Sequence, residues 1–252
     1  MVTLGSTSRN AWRVSADRVD LTRAPRPRRA VEVPAAPQRV AFDLAFAALI
    51  VIDMQNDFCH ADGWSAGRGR DVAVARRPIA PLAALAPRLR AAGVPIVWVN
   101  WGNRPDRANL APTTLHGFKP TGAETGLGDP LPNGRGHVLQ KDSWSAAVVD
   151  ELAPEAGDIG VDKYRLSGFW DTALDSILRN LDVRTLLFAG VNADQCVACT
   201  LHDAAFLGYD CLLLEDAVAT SSPDFCLQAT LYNVRRCFGF TMTTTDLLAA
   251  LA

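Results

Sequence analysis

Ala47-Ala48-Leu49-Ile50-Val51-Ile52-Asp53 is an unbroken apolar run closed by a carboxylate. A strand with one wet face would alternate apolar and polar residues. A continuous run instead suits a strand buried on both faces, as in a parallel sheet covered by helices. Working outward, Pro95-Ile96-Val97-Trp98-Val99-Asn100 reads as a second strand, and Asp158 to Lys163 as a short third. Thr185 to Gly190, Asp210 to Glu215 and Phe238 to Met242 complete six. Helical spacing fills the intervals. Residues from about 73 to 92 carry Val74, Ile79, Leu82, Leu85 and Leu89 on one stripe and stop at Gly93. Ser143 to Leu152, Thr172 to Leu181, Cys196 to Leu207, Asp224 to Arg235 and a segment from Thr245 also read as helices, with Gly208 closing the third of these. Strands alternating with helices in this way predict a three-layer α/β/α sandwich around a mostly parallel, Rossmann-like six-stranded sheet. Residues 103–140 are rich in Gly and Pro without a period, which suggests a lid or pocket wall.

Composition narrows the function. The 252 residues are 49% apolar, enough for a large core, and a net charge of −2 speaks against a nucleic-acid binder. No apolar run approaches the roughly 18 residues of a membrane span. The cations are unusual, because only Lys119, Lys141 and Lys163 among 25 are lysines. An ammonium can be tuned by its surroundings where a guanidinium cannot, so each lysine invites a question. Charge is also uneven: residues 1–40 hold eight arginines and three acids, leaving −7 for the rest. The chain therefore divides into a basic, Pro/Arg-rich arm, 1–40, and a catalytic-sized domain, 41–252. The arm reads as an extended solvated tail or as a strap across a second subunit. No apolar leader opens the sequence, so the six cysteines are expected to be reduced, mostly buried thiols of a cytoplasmic protein.

In open α/β sheets, ligands sit outside the carboxyl ends of the strands. Three reactive groups fall there: Asp53 after the first strand, Lys163 at the end of the third, and Cys196 beyond the strand that ends at Gly190. Each alone has an ordinary explanation as a turn residue, a solvated cation or a core thiol. Together they form a set in which a carboxylate can take the thiol proton and an ammonium can steady the thiolate. Two competing patterns are weaker. Gly63-Trp64-Ser65-Ala66-Gly67 has the spacing of a serine nucleophile elbow but lacks the flanking strand and helix. Cys196-Val197-Ala198-Cys199 has the spacing of a redox or zinc pair, without a second pair to complete a metal site.

The segments Leu49 to Phe58, Val161-Asp162-Lys163 and Gly190 to Val197 resemble the isochorismatase-like cysteine hydrolases, over about residues 44–250. The resemblance implies a triad of Asp53, Lys163 and Cys196. It also implies a cis peptide between Val191 and Asn192, and an oxyanion hole formed by the backbone N–H groups of Asn192 and Cys196. Metal-binding members carry Asp-x-His after the second strand; Asn100-Trp101-Gly102-Asn103 stands there instead, so neither metal nor cofactor is expected. Ser167-Gly168-Phe169-Trp170-Asp171-Thr172 is similar to the ureide- and amide-cleaving branch, which includes biuret hydrolase, ureidoacrylate amidohydrolase and N-carbamoylsarcosine amidase. The implied activity is metal-free hydrolysis of a C–N bond in a small amide or ureide through an acyl- or carbamoyl-cysteine. A lactam hydrolase of the streptothricin hydrolase type, a silent binding module and a thiol oxidoreductase using Cys196 and Cys199 are the alternatives. Substrate contacts are expected from Phe58, Asn100, Trp101, Asn103, Phe169, Trp170 and Gln228. The partners expected are a small-molecule substrate and further copies of the chain, as a dimer or tetramer, with neither nucleic acid nor membrane.

Overall fold

The computed structural model describes all 252 residues. In chain order, β1 (Val2–Leu4), β2 (Trp12–Val14), β3 (Val19–Asp20), β4 (Ala30–Val33) and β5 (Val40–Asp43) precede the central β6 (Ala47–Ile52). Short helices α1 (Asn56–Cys59), α2 (Trp64–Gly67) and α3 (Val72–Ala75) lead to α4 (Ile79–Ala91) and β7 (Ile96–Trp101). Then come α5 (Pro112–Phe118), β8 (Ile159–Lys163), α6 (Leu174–Asn180) and β9 (Thr185–Val191). The chain ends with α7 (Ala198–Phe206), β10 (Asp210–Ala219), α8 (Asp224–Asn233), β11 (Phe240–Met242) and α9 (Thr244–Ala250).

The last six strands form one sheet in the order β11-β10-β9-β6-β7-β8, and every neighbouring pair is parallel. Every residue of β6 and β9 is buried, as the unbroken apolar runs require. Helices α4 and α9 pack together and contact β10, which α7 also meets. No helix is long and apolar enough to cross a membrane.

The structure departs from the sequence reading in several places, each for a local reason. Strand β10 runs on past Glu215 to Ala219, with its register against β9 shifting between Leu213 and Val218. The charges that broke the apolar pattern there are spoken for: Glu215 pairs with Arg235 at 2.6 Å, and Asp216 accepts from the Thr244 N–H at 2.8 Å. The expected helix over 143–152 is instead a strap of turns closed by a 3-10 turn, Asp150–Leu152. Its carbonyls are taken by the segment after β6: Asn56 N–H donates to Ala147 at 2.9 Å, and Asp57 N–H to Ser145 at 3.1 Å. The helical stripe of 73–92 divides into α3 and α4, with Pro78 as the residue that caps the start of α4. The long loop contains α5.

Residues 1–46 are folded against the rest of the chain. β1, β2 and β3 form a small antiparallel sheet, and β4 and β5 a hairpin. Ala36 exchanges two backbone hydrogen bonds with Thr241, which covers the exposed side of edge strand β11. Arg9, Arg26 and Arg29 turn inward to carbonyls of the domain, while Arg13, Arg18 and Arg39 pair with acids inside the segment. Arg26 donates to Ala45 O at 2.8 Å and pairs with Asp182, while Arg9 reaches Ala45 O at 3.1 Å and also Gly93 O. These acceptors lie just before β6, β9 and β7, at the amino ends of the strands.

Candidate active site

The chain reverses its direction of travel across the sheet at β6. β7 and β8 lie to one side of it; β9, β10 and β11 lie to the other. The crevice outside the carboxyl ends at such a switch point is where open α/β sheets hold ligands. Asp53 directly follows β6, Asn192 directly follows β9, and Lys163 ends β8.

Asp53 adopts a left-handed backbone, φ +53°, with its N–H bonded to Val99 O at 3.1 Å. This turns its carboxylate back under β7. Oδ1 accepts the Trp101 N–H at 3.0 Å, a donor shared with Gln55 Oε1 at 2.9 Å. Oδ2 faces Lys163 Nζ at 2.9 Å, and neither side chain has appreciable exposure. Lys163 stands beside Trp101 in the β7–β8 register. Its ammonium lies 4.3 Å from the Trp101 ring centroid and donates to Arg165 O at 3.2 Å. The ion pair is thus shielded from bulk solvent.

Cys196 follows from the backbone of β9. Gly190 has φ +113°, and a Cβ there would stand 2.0 Å from Ile52 O, so only glycine permits β9 to run this close to β6. The Val191–Asn192 peptide is cis. The chain then enters a π-helical turn, Ala193–Val197, before α7 begins. Cys196 therefore lies inside a wide turn rather than at the first residue of a regular helix. Its carbonyl accepts from Thr200 Oγ1 at 2.7 Å, and that hydroxyl in turn accepts the Gly168 N–H at 3.0 Å. Asp53 and Lys163 are the two charged groups whose electrostatics act on the Cys196 thiol.

Burial dominates the electrostatics. It raises the Asp53 carboxyl above the ordinary aspartate range, against the opposing pull of Lys163, the Cys196 thiol and the Trp101 N–H. Burial also works against the Lys163 ammonium, but the facing Asp53 and Cys196 hold its pKa above the usual lysine value. The Cys196 thiol is pushed well up by burial, with Lys163 opposing and Asp53 adding to the rise. These directions favour a protonated thiol and a protonated Lys163, and they raise the proton affinity of Asp53.

A cavity of about 360 Å3 opens over these groups, with Asp53, Asn192 and Cys196 in its wall. That is near the small end of the roughly 300–1,000 Å3 usual for ligand pockets. Phe58 lines it, as does Leu166. Among the other expected contacts, Trp101 and Asn103 are buried behind the wall, joined by an indole N–H to carboxamide hydrogen bond. Asn100 is partly buried in β7, Phe169 packs on Tyr209 at 6.0 Å, Trp170 is 62% exposed, and Gln228 is exposed on α8. None of these six lines the cavity. The wall is completed by side chains the sequence reading did not select. Trp64 and Arg70 come from the α2 region, Phe118 from α5, and Gln195, Ser221 and Ser222 from beside the nucleophile turn and β10. Trp64 and Ser65 sit within the rejected serine motif, whose glycine spacing reflects a tight corner: a Cβ on Gly63 would lie 2.2 Å from Asn56 O.

Asp57 anchors this corner. It is fully buried, and it accepts the Trp64 N–H at 3.1 Å and the Leu139 N–H at 2.7 Å. Burial raises its pKa to about 6 in spite of these donors. No group of three or more His, Cys, Asp or Glu side chains is placed to hold a metal ion.

Comparison with known proteins places this architecture. Residues 47–246 match the isochorismatase domain. The chain is 36% identical over 222 residues to ureidoacrylate amidohydrolase of Rhizobium rhizogenes, covering 88% of this chain and 90% of that protein. The ureidoacrylate amidohydrolase of Enterobacter sp. (strain 638) is also 36% identical, with 87% and 95% covered. Among solved structures, N-carbamoylsarcosine amidase of Thermoplasma acidophilum superposes with a TM-score of 0.58 at 28% identity, over 79% of this chain and 96% of that one. A cysteine hydrolase of Pseudomonas syringae pv. phaseolicola shares the fold with a TM-score of 0.70 at 24% identity, over 90% and 98%.

Proposed function

The chain belongs to the isochorismatase family, and from that premise we propose that it is a cysteine amidohydrolase cleaving a C–N bond of a small amide or ureide. The relatives at 36% identity are ureidoacrylate amidohydrolases, and the solved relative at 28% is an N-carbamoylsarcosine amidase. One observation carries the mechanism: the closed Asp53–Lys163 ion pair, 2.9 Å, at the base of a cavity that Cys196 lines.

In this mechanism Asp53 accepts the Cys196 proton, a step favoured by the burial that raises the carboxyl's proton affinity. Lys163 keeps the site's charge balanced as the thiolate forms and attacks the substrate carbonyl carbon. The Asn192 N–H makes no backbone hydrogen bond among the turns and loops, so with the Cys196 N–H it is free to hold the oxyanion. Asp53 returns the proton to the leaving nitrogen, the C–N bond breaks, and an acyl- or carbamoyl-cysteine remains. A water, deprotonated by Asp53, attacks the thioester, and the departing thiolate recovers its proton. The chemistry is supplied by the chain's own side chains and needs no metal.

The test is a panel of amides, ureides and lactams assayed for ammonia or acid release, with intact-mass detection of the thioester. Cys196→Ala is expected to lose at least about 10^3-fold in kcat and to form no adduct. Turnover by Cys196→Ala at the parental rate would refute the mechanism.

A further inference from the structure

Arg70 is a charged side chain of the cavity wall for which the mechanism above has no task. The other charge in that wall, Asp53, is already answered by Lys163 at 2.9 Å. Arg70 has no acidic partner. Partial burial and the nearby Arg68 cation both push its pKa below the ordinary arginine value. Its guanidinium is nonetheless held in place, lying 5.3 Å from the centroid of the Trp64 ring. That ring is itself fixed: its indole N–H donates to Thr125 O at 2.7 Å, and Phe118 packs on it at 5.3 Å. A cation kept on a firm aromatic platform, beside a like charge and without a counter-ion, creates positive potential at the exposed side of a small cavity.

We propose that Arg70 binds a carboxylate carried by the substrate, making the site selective for anionic amides or ureides over neutral ones of the same shape. The cavity is small, about 360 Å3, and Cys196 and Arg70 share its wall, so the carboxylate and the scissile carbonyl belong to one compact molecule. A planar guanidinium matches a carboxylate with two parallel N–H donors. The neutral groups of Asn192, Gln195, Ser221 and Ser222 are left to meet the amide or urea portion. The inference rests on the reading of Cys196 as the nucleophile for that portion.

The experiment compares N-carbamoylglycine with isobutylurea, in which an isopropyl group replaces the carboxylate. Ammonia release is measured for the parental chain, Arg70→Gln and Arg70→Lys. The parental chain is expected to favour the acid by about 30-fold in kcat/KM, chiefly through KM, the factor a charge-assisted hydrogen bond supplies. Arg70→Gln should lose about 30-fold more on the acid than on isobutylurea, and Arg70→Lys should recover part of the difference. Equal losses on both compounds, or a parental preference for isobutylurea, overturn the proposal while leaving the amidohydrolase reading intact. If neither compound is cleaved, the amidohydrolase reading loses its support from ureides, and Arg70 is tested by calorimetry of N-carbamoylglycine on Cys196→Ala. Binding that Arg70→Gln abolishes sustains the role of Arg70; binding that it leaves unaltered, or no binding at all, overturns it.

Discussion

Lys163 shows how far one residue can be read from sequence. Its type mattered because lysines are scarce in this chain, and its position mattered because it ends a strand of the sheet that also carries Asp53 and Cys196. Burying two opposite charges is costly unless they meet with good geometry, and the 2.9 Å separation under the Trp101 ring satisfies that condition. Asp57 was not legible in the same way. Its neighbours Trp64 and Leu139 are 7 and 82 residues away, and nothing in the local pattern marks them as donors. Burial raises its carboxyl from 3.8 to about 6 on folding. The native chain therefore holds a proton that the unfolded chain releases between these values. The stabilising contribution is complete below about pH 4 and is lost as the pH rises through about 6; two pKa units correspond to about 3 kcal/mol. Asp57→Asn does not titrate. Chemical denaturation at pH 4 and pH 7.5 should find its stability deficit relative to the parental chain shrinking by on the order of 3 kcal/mol over that interval. A deficit independent of pH would show that Asp57 ionises as an ordinary surface carboxyl does.

At the scale of elements, the strands were legible because an unbroken apolar run has few homes other than a doubly covered sheet. The turns around the nucleophile were not. Periodicity extends a helix from Cys196 to Leu207, whereas the chain first makes a π-helical turn, Ala193–Val197. Reading the strand ends had the same weakness. The Glu215-Asp216 pair looked like a terminus until tertiary partners appeared for both carboxylates. What holds the nucleophile turn to its surroundings is the hydroxyl of Thr200, which is fully buried, donates to Cys196 O at 2.7 Å and accepts from the Gly168 N–H at 3.0 Å. Gly168 itself has no room for a side chain, since a Cβ would lie 2.7 Å from Val99 Cγ1. Thr200→Val preserves the volume and strands the Gly168 N–H without an acceptor. Unfolding by denaturant should show a loss of about 2 kcal/mol, and steady-state kinetics a roughly tenfold fall in kcat with a smaller change in KM. Thr200→Ser should recover most of both. Parental stability in Thr200→Val would mean the hydroxyl does not fix this turn.

Over the whole molecule, charge is segregated along the strand direction. The candidate site occupies the carboxyl ends of β6, β8 and β9, while the basic amino-terminal segment is fastened at their amino ends. Composition alone left that segment as a solvated tail or a strap to another subunit, because the arginines that fasten it, Arg9, Arg26 and Arg29, bond chiefly to backbone carbonyls, which carry no signature in sequence. Arg26 is the centre of the attachment. It donates to Ala45 O at 2.8 Å, pairs with Asp182, and lies 4.1 Å from the Phe46 ring centroid. Its carbonyl acceptors include Leu181 O, at the end of α6, where a cation also opposes the negative end of the helix dipole. Arg26→Ala removes these contacts and leaves the Ala45 carbonyl with Arg9 alone. Hydrogen bonds from a charged donor contribute about 1.5–3 kcal/mol, so a loss of about 2 kcal/mol is expected, or about 4–8 °C in Tm for a chain of this size. Because the attachment is at the far side of the sheet from Cys196, kcat/KM on the best substrate of the panel should stay within about twofold at temperatures below the transition. A fall in kcat/KM without a fall in Tm would instead tie the amino-terminal segment to the site, and would break the division between a fastened end and a reactive end of the sheet.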